Sequence, residues 1–427
     1  MRRGELLREL SGGGLRGRLS QVYGAGAAEA AVRLRELVLE YAGTFPCDES
    51  ADTWLFSTPG RTELGGNHTD HQRGAALAGS VNLDTIACVV PNRSRTIRIK
   101  SRHHRIAEVN LDDLSIHPAE TGSSPSLVRG VAARLTRLGY AVGGFDAYTT
   151  TRVLRGSGLS SSAAFEVLVC TIMSHLFCDA SLSPVQLAQV GQYAENVYFG
   201  KPCGLLDQLS CAAGGVISAD FRDPGAPAVR KVQVDLAAHG YALCIVDSRA
   251  SHADLTDDYA AIPREMGEVA LCLGCQALGE ADPRQFWEQL PHLRAVCGDR
   301  AVLRALHFFA DDRRVPLQRE ALERGDFETF LALTRQSGRS SFMYLQNVSS
   351  YQDSRFQPVA VLLAAAEELL AGRGACRIHG GGFAGTIQAF VPLDQLEDFT
   401  GSMEALAGPG TCHVLSIRSA GSVLLAR

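Results

Sequence analysis

The clearest change of hydrophobic period in the chain falls around residues 145–176. Residues 145–153 alternate with the period of a strand, and one side carries Phe145, Ala147, Thr149, Thr151 and Val153. After residue 164 the apolar residues recur at helical spacing, at Phe165, Leu168, Val169, Ile172 and Leu176. The Gly/Ser-rich run between these two segments is therefore predicted to be a strand-to-helix loop.

Similar patterns predict strands and helices interleaved along the rest of the chain. Strands are predicted at 51–58, 75–90, 95–112, 241–247, 375–379, 386–391 and 414–417. Helices are predicted at 34–43, 127–138, 184–200 and 358–372, with several more within 262–345. Residues 1–30 give no clear element. The mixture predicts an α+β fold in two lobes, joined near residues 215–240.

Composition places the chain among ordinary soluble enzymes. Its 427 residues are 46% hydrophobic and 20% charged, enough for two or three domains. With a net charge of −5 and no basic stripe, we expect no nucleic-acid partner. The 12 cysteines are scattered, and the lone Cys272/Cys275 pair has no second pair for zinc, so we expect reduced thiols in the cytoplasm. A charged N-terminus and the lack of a long apolar run predict neither a secretory signal nor a membrane span.

The loop before residue 165 has the composition of an anion site. The start of a helix offers unpaired N–H groups and a positive dipole end, which suit a phosphate. Gly156 and Gly158 allow close approach of the backbone, and Ser160, Ser161 and Ser162 add hydroxyls. The run matches neither the commonest phosphate-loop motif nor the dinucleotide fingerprint. The residues alone therefore leave two interpretations open, a nucleotide-phosphate site and an ordinary loop with a serine cap.

A second polar stretch, residues 59–71, precedes a strand-forming segment. It holds one Arg, one Asn, one Asp, two His and three Gly. We interpret it as a binding loop in which Arg61 is a fixed cation and Asn67, His68 and Asp70 meet hydroxyl groups. A solvated turn is the alternative, and a metal site is weaker because no third ligand lies nearby. Further along, Asp207 in an apolar run is either a solvated or capping residue or a catalytic one.

Three stretches, in this order, resemble the motifs of one superfamily. Pro59–Asp70 resembles the galactokinase signature Pro-Gly-Arg-x-Asn-x-x-Gly-Glu-His-Thr-Asp. Gly156–Ala164 is similar to the phosphate loop of the superfamily of galactokinase, homoserine kinase, mevalonate kinase and phosphomevalonate kinase (GHMP kinases). Gly380–Gly385 resembles the third motif, Gly-Gly-Gly-Phe-Gly-Gly. The ordered set is far more specific than any one motif.

The resemblance implies a fold and a reaction. Residues 1–225 would form an N-terminal lobe like ribosomal protein S5 domain 2, and residues 226–427 a ferredoxin-like lobe. ATP and a sugar would meet between the lobes. The implied reaction is ATP-dependent phosphorylation of D-galactose at its anomeric hydroxyl, giving α-D-galactose 1-phosphate. The implied protein is a cytoplasmic monomer that uses Mg²⁺.

The resemblance also implies roles for residues at the matching positions. Arg61 and Asp207 match the catalytic pair, and Ser162 and Glu195 match the magnesium-binding pair. The remaining matches are the sugar contacts Asn67, His68, Asp70, Gly204 and Tyr259, and the ATP contacts Gly156, Ser157, Gly158, Leu159, Ser160, Ser161, Ser162 and Ala163. Tyr259 stands seven residues after His252, as in the family.

The departures from the family pattern lie mostly in the sugar signature. Asn67 replaces the family Glu, which touches the outer hydroxyls of the sugar, and Thr62-Glu63 replaces Val-Asn. His71 stands where Tyr is frequent. These changes keep open a kinase for a related sugar. Some relatives are sensors that bind ATP and sugar without turnover, but the intact Ser162-Ala163-Ala164 favours a kinase over a sensor.

Overall fold

The computed structural model describes residues 1–46, 49–154, 156–250, 255–350 and 355–427, with two β-sheets that carry the site. The strands are β1 Trp54–Gly65, β2 Ala75–Pro91, β3 Thr96–Ser101, β4 Ile106–Asn110, β5 Phe145–Thr151, β6 Val216–Asp220, β7 Ala228–Val232, β8 Tyr241–Asp247, β9 Ala375–Ile378, β10 Thr386–Pro392, β11 Cys412–Leu415 and β12 Val423–Ala426.

Helices cover both sheets. They are α1 Arg3–Gly12, α2 Arg16–Tyr23, α3 Ala27–Thr44, α4 Ser124–Arg137, α5 Ser161–Phe177, α6 Pro184–Tyr193, α7 Leu206–Ala213, α8 Thr256–Cys272, α9 Pro283–Glu288, α10 Leu290–Cys297, α11 Asp299–Glu323, α12 Phe327–Ser340, α13 Pro358–Leu370 and α14 Leu396–Ala407. None of the helices in the described ranges is both long and apolar enough to cross a membrane. The α+β class predicted from the sequence is confirmed.

The first sheet has the strand order β12-β1-β2-β5-β3-β4, and β6 and β7 extend it from β2. Its neighbours are antiparallel except β3 and β5, which run parallel. Period-2 alternation gives the sheet two apolar faces. Phe56, Ala87 and Ala147 pack against α5 in one core, whereas Leu55, Cys88 and Tyr148 pack in another with α1, α2 and α3. Residues 1–30, which periodicity left unassigned, and the helix predicted at 34–43 thus cover the outer face.

A buried carboxylate on β2 ties the N-terminal helices and the C-terminal segment to this sheet. Asp84 accepts hydrogen bonds from Tyr23 (2.8 Å), Arg33 (2.9 Å), Ser57 (2.6 Å) and Arg418 (3.2 Å). Burial would raise the pKa of Asp84, but Arg33 and Arg418 hold the pKa below its usual range. The four donors come from α2, α3, β1 and the segment before β12, so one buried carboxylate links parts of the chain that are distant in sequence.

The second sheet is antiparallel, in the order β11-β8-β10-β9. One continuous apolar core includes residues of both sheets, among them Phe56, Leu243 and Phe390. Strands β7 and β12 pair with the first sheet although they follow residue 225. The domain boundary at 225/226 stays a prediction.

Strand β1 differs from its prediction. The sequence predicts a strand at 51–58 followed by a polar loop over 59–71, but β1 continues to Gly65. Arg61, Thr62 and Glu63 pair with Ser80, Gly79 and Ala78 of β2, beyond a register shift after Pro59. Pairing with a long partner strand outweighs the polarity of these side chains, which find partners inside the protein.

Candidate active site

Arg61 and Asp207, the predicted catalytic pair, are in contact. Arg61 projects from β1, and Asp207 lies in the first turn of α7. Nε and Nη2 of Arg61 lie 2.7 and 2.6 Å from Oδ1 of Asp207, a charge-assisted double contact. The second oxygen, Oδ2, accepts a 2.5 Å hydrogen bond from the Ser160 hydroxyl. The pair therefore lies directly against the predicted phosphate loop.

The electrostatics of this pair favour both charges. Burial opposes ionisation of Asp207, but Arg61, the Ser160 hydroxyl and Lys201 together hold the pKa of its carboxyl below the usual range. Arg61 is 7% exposed, whereas Asp207 is 35% exposed. Despite the burial of its guanidinium, the carboxylates of Asp207 and Glu63 raise the pKa of Arg61. The site thus presents a carboxylate that is ionised at neutral pH and open on one side.

The loop before α5 has the backbone of an anion site. Gly156, Gly158 and Ser160 adopt positive φ angles of 71°, 69° and 58°. The Ser160 side chain makes no cap hydrogen bond to α5, because its hydroxyl is engaged by Asp207. By contrast, Ser183 closes the predicted capping box at the start of α6. The first-turn N–H groups of α5 are therefore left without a serine cap, which favours the phosphate interpretation over the capped-loop alternative.

The other residues of this loop support its shape. Leu159 and Ala163 are buried, and the Leu159 carbonyl accepts a hydrogen bond from the backbone N–H of Arg61 at 3.1 Å. The Ser157 hydroxyl donates to the Leu154 carbonyl at 2.8 Å. Ser161 begins α5. Arg155 lies outside the described residues, and so does His252.

Ser162 and Glu195, the predicted magnesium pair, also meet. The Ser162 hydroxyl donates to Oε1 of Glu195 at 3.3 Å, and Nζ of Lys201 lies 3.2 Å from the same oxygen. Glu195 lies on a π-helical segment, Ala194–Phe199, that continues α6, and such segments are frequent at functional sites. In the described ranges no cluster of three or more His, Cys, Asp or Glu could hold a metal. A hydroxyl and a carboxylate are hard oxygen ligands of the kind Mg²⁺ takes alongside water and phosphate oxygens, so the residues fit this ion.

Four of the predicted sugar contacts fall into two groups, Asp70 with Gly204, and His68 with Tyr259 at the carbonyls of Gly381 and Gly382. Asp70 lies against Gly204, since a Cβ built on Gly204 would stand 1.9 Å from Oδ2 of Asp70. His68 has a φ of 61°, and its Nε2 lies 3.0 Å from the Gly381 carbonyl. Burial and the neighbouring His71 lower the pKa of His68 to about 3, so the ring is neutral and Nε2–H donates to that carbonyl. The hydroxyl of Tyr259 donates to the Gly382 carbonyl at 2.5 Å.

Asn67 lies deeper than these residues. Its side chain is 0% exposed, and Nδ2 donates to Glu63 at 3.1 Å and to the Gly380 carbonyl at 2.8 Å. Oδ1 accepts from Ser341 at 3.2 Å and from Asn347 at 2.9 Å. The sugar contact predicted for Asn67 stays a prediction.

Sequence reasoning missed several residues that support the site. His379 bridges Thr62 and Ser157, with contacts of 3.1 and 3.2 Å. Arg377 forms a buried ion pair with Glu63. Both residues directly precede the third motif in the sequence, and this position could have marked them as candidate site residues. Lys201 offered a weaker signal, its place between Glu195 and Gly204.

Comparison with known proteins agrees with this geometry. A family model described as the GHMP kinases N terminal domain matches residues 126–215, and one described as the galactokinase galactose-binding signature matches residues 40–91. A curated galactokinase from Streptomyces coelicolor is 30% identical over 362 residues, which cover 83% of this chain and 89% of that protein.

Solved structures share the fold. The crystal structure of Lactococcus lactis galactokinase complexed with galactose has a TM-score of 0.79 and 23% identity, covering 92% of this chain and 99% of that one. Mevalonate kinase from Methanococcus jannaschii has a TM-score of 0.60 and 13% identity, covering 86% of this chain and 98% of that one. Together with the sequence relative, these matches lead to one conclusion: the chain belongs to the galactokinase family of GHMP kinases and is a sugar kinase, a phosphotransferase.

Proposed function

We propose that the protein phosphorylates D-galactose with ATP at the anomeric hydroxyl and releases α-D-galactose 1-phosphate and ADP. The observation that carries this proposal is the contact of Asp207 with both Arg61 and Ser160, which sets a carboxylate at the mouth of the phosphate loop. The galactokinase from S. coelicolor and the galactose complex of the L. lactis enzyme support the choice of sugar.

In the proposed step the anomeric oxygen attacks the γ-phosphorus of ATP. A P–O bond forms to the sugar, the bond to the β-phosphate oxygen breaks, and ADP leaves with that electron pair. Asp207 accepts the proton of the hydroxyl or orients it, which requires the ionised form that its lowered pKa favours at neutral pH. Arg61 holds this carboxylate in place and offers positive charge to the transferring group.

The phosphates of ATP would lie on the loop and first turn formed by Gly156–Ala163. The uncapped N–H groups of α5 point at this position, and the left-handed glycines let the backbone approach an anion. Ser162 and Glu195 would hold Mg²⁺, whose charge offsets that of the phosphates. Lys201 also donates to the Glu195 carboxylate, at 3.2 Å.

We assign the sugar contacts to Asp70, His68, Gly204 and Tyr259. Asp70 is a partly exposed acceptor, and Gly204 leaves room beside it where a side chain would collide with its carboxylate. His68 keeps one ring nitrogen as an acceptor because the other donates to Gly381. Fixed polar groups of this kind discriminate between epimers, since a misplaced hydroxyl leaves one of them unpaired.

We place the enzyme in the cytoplasm as a monomer that binds a small sugar and neither nucleic acid nor membrane. The described cysteines are all free thiols, which suits a reducing compartment. Sedimentation of the purified protein would test the oligomeric state directly.

The decisive experiment is an ADP-release assay with MgATP against galactose, glucose, talose, N-acetylgalactosamine, galacturonate and arabinose. A sugar-free reaction supplies the background ATPase rate. Turnover with galactose, with ³¹P and ¹H NMR of the product showing an α-linked 1-phosphate, is the expected result. Turnover only with a sugar other than galactose would support a sugar kinase but overturn galactose as its substrate. ATP binding without turnover of any sugar would overturn the proposal in favour of a sensor.

A further inference from the structure

Asn67 uses its full hydrogen-bonding capacity on protein groups. A carboxamide has two N–H donors and two acceptor lone pairs. In Asn67 both donors are engaged by Glu63 and Gly380, and the oxygen is engaged by Ser341 and Asn347. Because the side chain is fully buried, a sugar hydroxyl could bond to it only by displacing one of these partners.

The backbone of Asn67 is held as firmly as its side chain. Its N–H donates to Asp311 at 2.9 Å, and its carbonyl lies 3.0 Å from Nε2 of His307. Both partners lie on α11. On either side the chain turns through left-handed residues, Gly66 at a φ of 84° and His68 at 61°. The position of residue 67 therefore sets the direction in which His68 and the following residues leave the strand.

The chemistry of Glu63 and Asn67 is interdependent. Nδ2 of Asn67 donates to Glu63 Oε1, which also accepts from Arg377, and to the Gly380 carbonyl, so both of its partners act as acceptors. With a carboxylate at position 63, residue 67 must supply a donor. With a carboxylate at position 67, residue 63 would have to supply it instead. The galactokinase signature has Asn and Glu at these two places, and this chain has the same two chemical types in the opposite order.

The charge of the pair has its own counter-ion on the second sheet. Arg377 on β9 pairs with the Glu63 carboxylate, and the Arg377 side chain is 0% exposed. Gln388 of β10 also donates to the Glu63 backbone carbonyl at 2.9 Å. Burial and the nearby Asp70 and Asp311 carboxylates raise the pKa of Glu63, and the charges of Arg377 and Arg61 oppose this shift.

We propose that Glu63 and Asn67 form an exchanged carboxylate–carboxamide pair, and that Asn67 is a positioning residue that sets the sugar loop without touching the sugar. The second half of this inference rests on the proposed function, and the first half stands on the contacts alone. On this assignment the loop meets its substrate through His68 and Asp70.

Isosteric substitutions test the pair. Asn67→Asp would place an oxygen against Glu63 and Gly380, and Glu63→Gln would leave Arg377 without its counter-ion, so we expect each to lower the thermal midpoint by about 5 °C or more. The double variant Glu63→Gln/Asn67→Asp restores a donor–acceptor pair between the two side chains but neither the Arg377 ion pair nor the donor to Gly380, so its loss should be smaller than the sum of the two single losses. Glu108→Gln and Asn110→Asp, at exposed positions of β4, are matched controls that should leave the midpoint unchanged.

Kinetics of the double variant separate positioning from contact. With galactose, or with whichever sugar the parent phosphorylates, we expect a sugar KM within about threefold of the parent. A double variant whose midpoint recovers in part but whose sugar KM stays tenfold higher, at an unchanged KM for ATP, would show that Asn67 contacts the sugar. Additive losses in the double variant would overturn the pairing. A parent enzyme that turns over no sugar would refute the proposed function. The thermal midpoints of the parent, single and double variants would still test whether Glu63 and Asn67 form a pair.

Discussion

Replacing Asp207 by Asn should nearly abolish turnover while preserving the fold and both binding sites. The carboxylate accepts two N–H contacts from Arg61 on Oδ1 and one O–H from Ser160 on Oδ2. An amide in the same place keeps an oxygen for Arg61, and its Nδ2 can donate to the Ser160 hydroxyl. The number of contacts is conserved, and what disappears is the charge and the ability to take a proton.

The size of the effect follows from these two losses. A positioned acid or base contributes about 10²–10⁴-fold to rate, which corresponds to about 3–5 kcal/mol of activation free energy. Stability should change less. Asp207 is 35% exposed and the amide keeps its contacts, but Arg61 is only 7% exposed and loses a counter-charge, so the free energy of unfolding should fall by about 1–3 kcal/mol.

The assay compares kcat, the two KM values and the thermal midpoint of parent and variant. We expect kcat to fall at least about 100-fold, with both KM values within a few-fold of the parent. Asp394→Asn, an exposed partner of Arg373 outside the site, is the matched control and should retain full turnover. A folded Asp207→Asn enzyme that kept more than a tenth of the parental kcat would refute the role of this carboxylate.

Three other positions give measurable outcomes. Asp84→Ala leaves its buried arginine partners uncompensated and should lower the free energy of unfolding in urea by about 3–5 kcal/mol; a loss below about 1 kcal/mol would contradict the role of Asp84 as a fastening charge. Burial lowers the pKa of His68 and of His379 from 6.5 to about 3. The fold therefore keeps the full contribution of both neutral rings above pH 6.5. As the pH falls from 6.5 toward 3, the free energy of unfolding should decrease by about 1.4 kcal/mol per pH unit for each of these histidines. His379→Gln should remove half of the pH dependence that these two histidines cause. An unchanged slope of unfolding free energy against pH would contradict the role of His379. Gly158→Ala places a Cβ 2.8 Å from Nδ1 of His379 at a φ of +69°, so KM for ATP should rise about tenfold while KM for the sugar stays constant; equal changes in both would argue against a loop specific for ATP.

Hydrophobic spacing and capping residues predicted the elements that depend on contacts between near neighbours in the sequence. The helical spacing after residue 164 corresponds to α5, and the Ser183 capping box begins α6 as predicted. Both depend on contacts within a few residues, which a single sequence displays. The extent of β1 was not predictable in this way, because its pairing with β2 is what extends it to Gly65.

The site was predictable as a set of residues but not as a network. The resemblance selected the pairs Arg61–Asp207 and Ser162–Glu195, and the structure places the members of each pair in contact. It also selected Asp70 and Gly204 among the sugar contacts, and the structure brings these two together. It did not indicate that Asn67 would be buried. That burial comes from α11 and from Ser341 and Asn347, more than 200 residues away along the chain.

The turn between β9 and β10 explains how two distant loops keep a fixed separation. On one side His379 contacts the Ser157 carbonyl at 3.2 Å, and the Thr386 hydroxyl donates to the same carbonyl at 2.7 Å. On the other side the carbonyls of Gly380 and Gly381 accept from Asn67 and His68 at 2.8 and 3.0 Å.

The glycines of this turn are required by the closeness of these contacts. A Cβ on Gly381 would lie 2.4 Å from the Tyr259 ring, and one on Gly382 would lie 2.1 Å from the Asn347 carbonyl. A side chain at either place would collide with Tyr259 or Asn347 and displace the turn. Since a transfer reaction depends on holding two reactants at near-contact distance, the third motif contributes by setting the spacing between the predicted ATP loop and the predicted sugar loop.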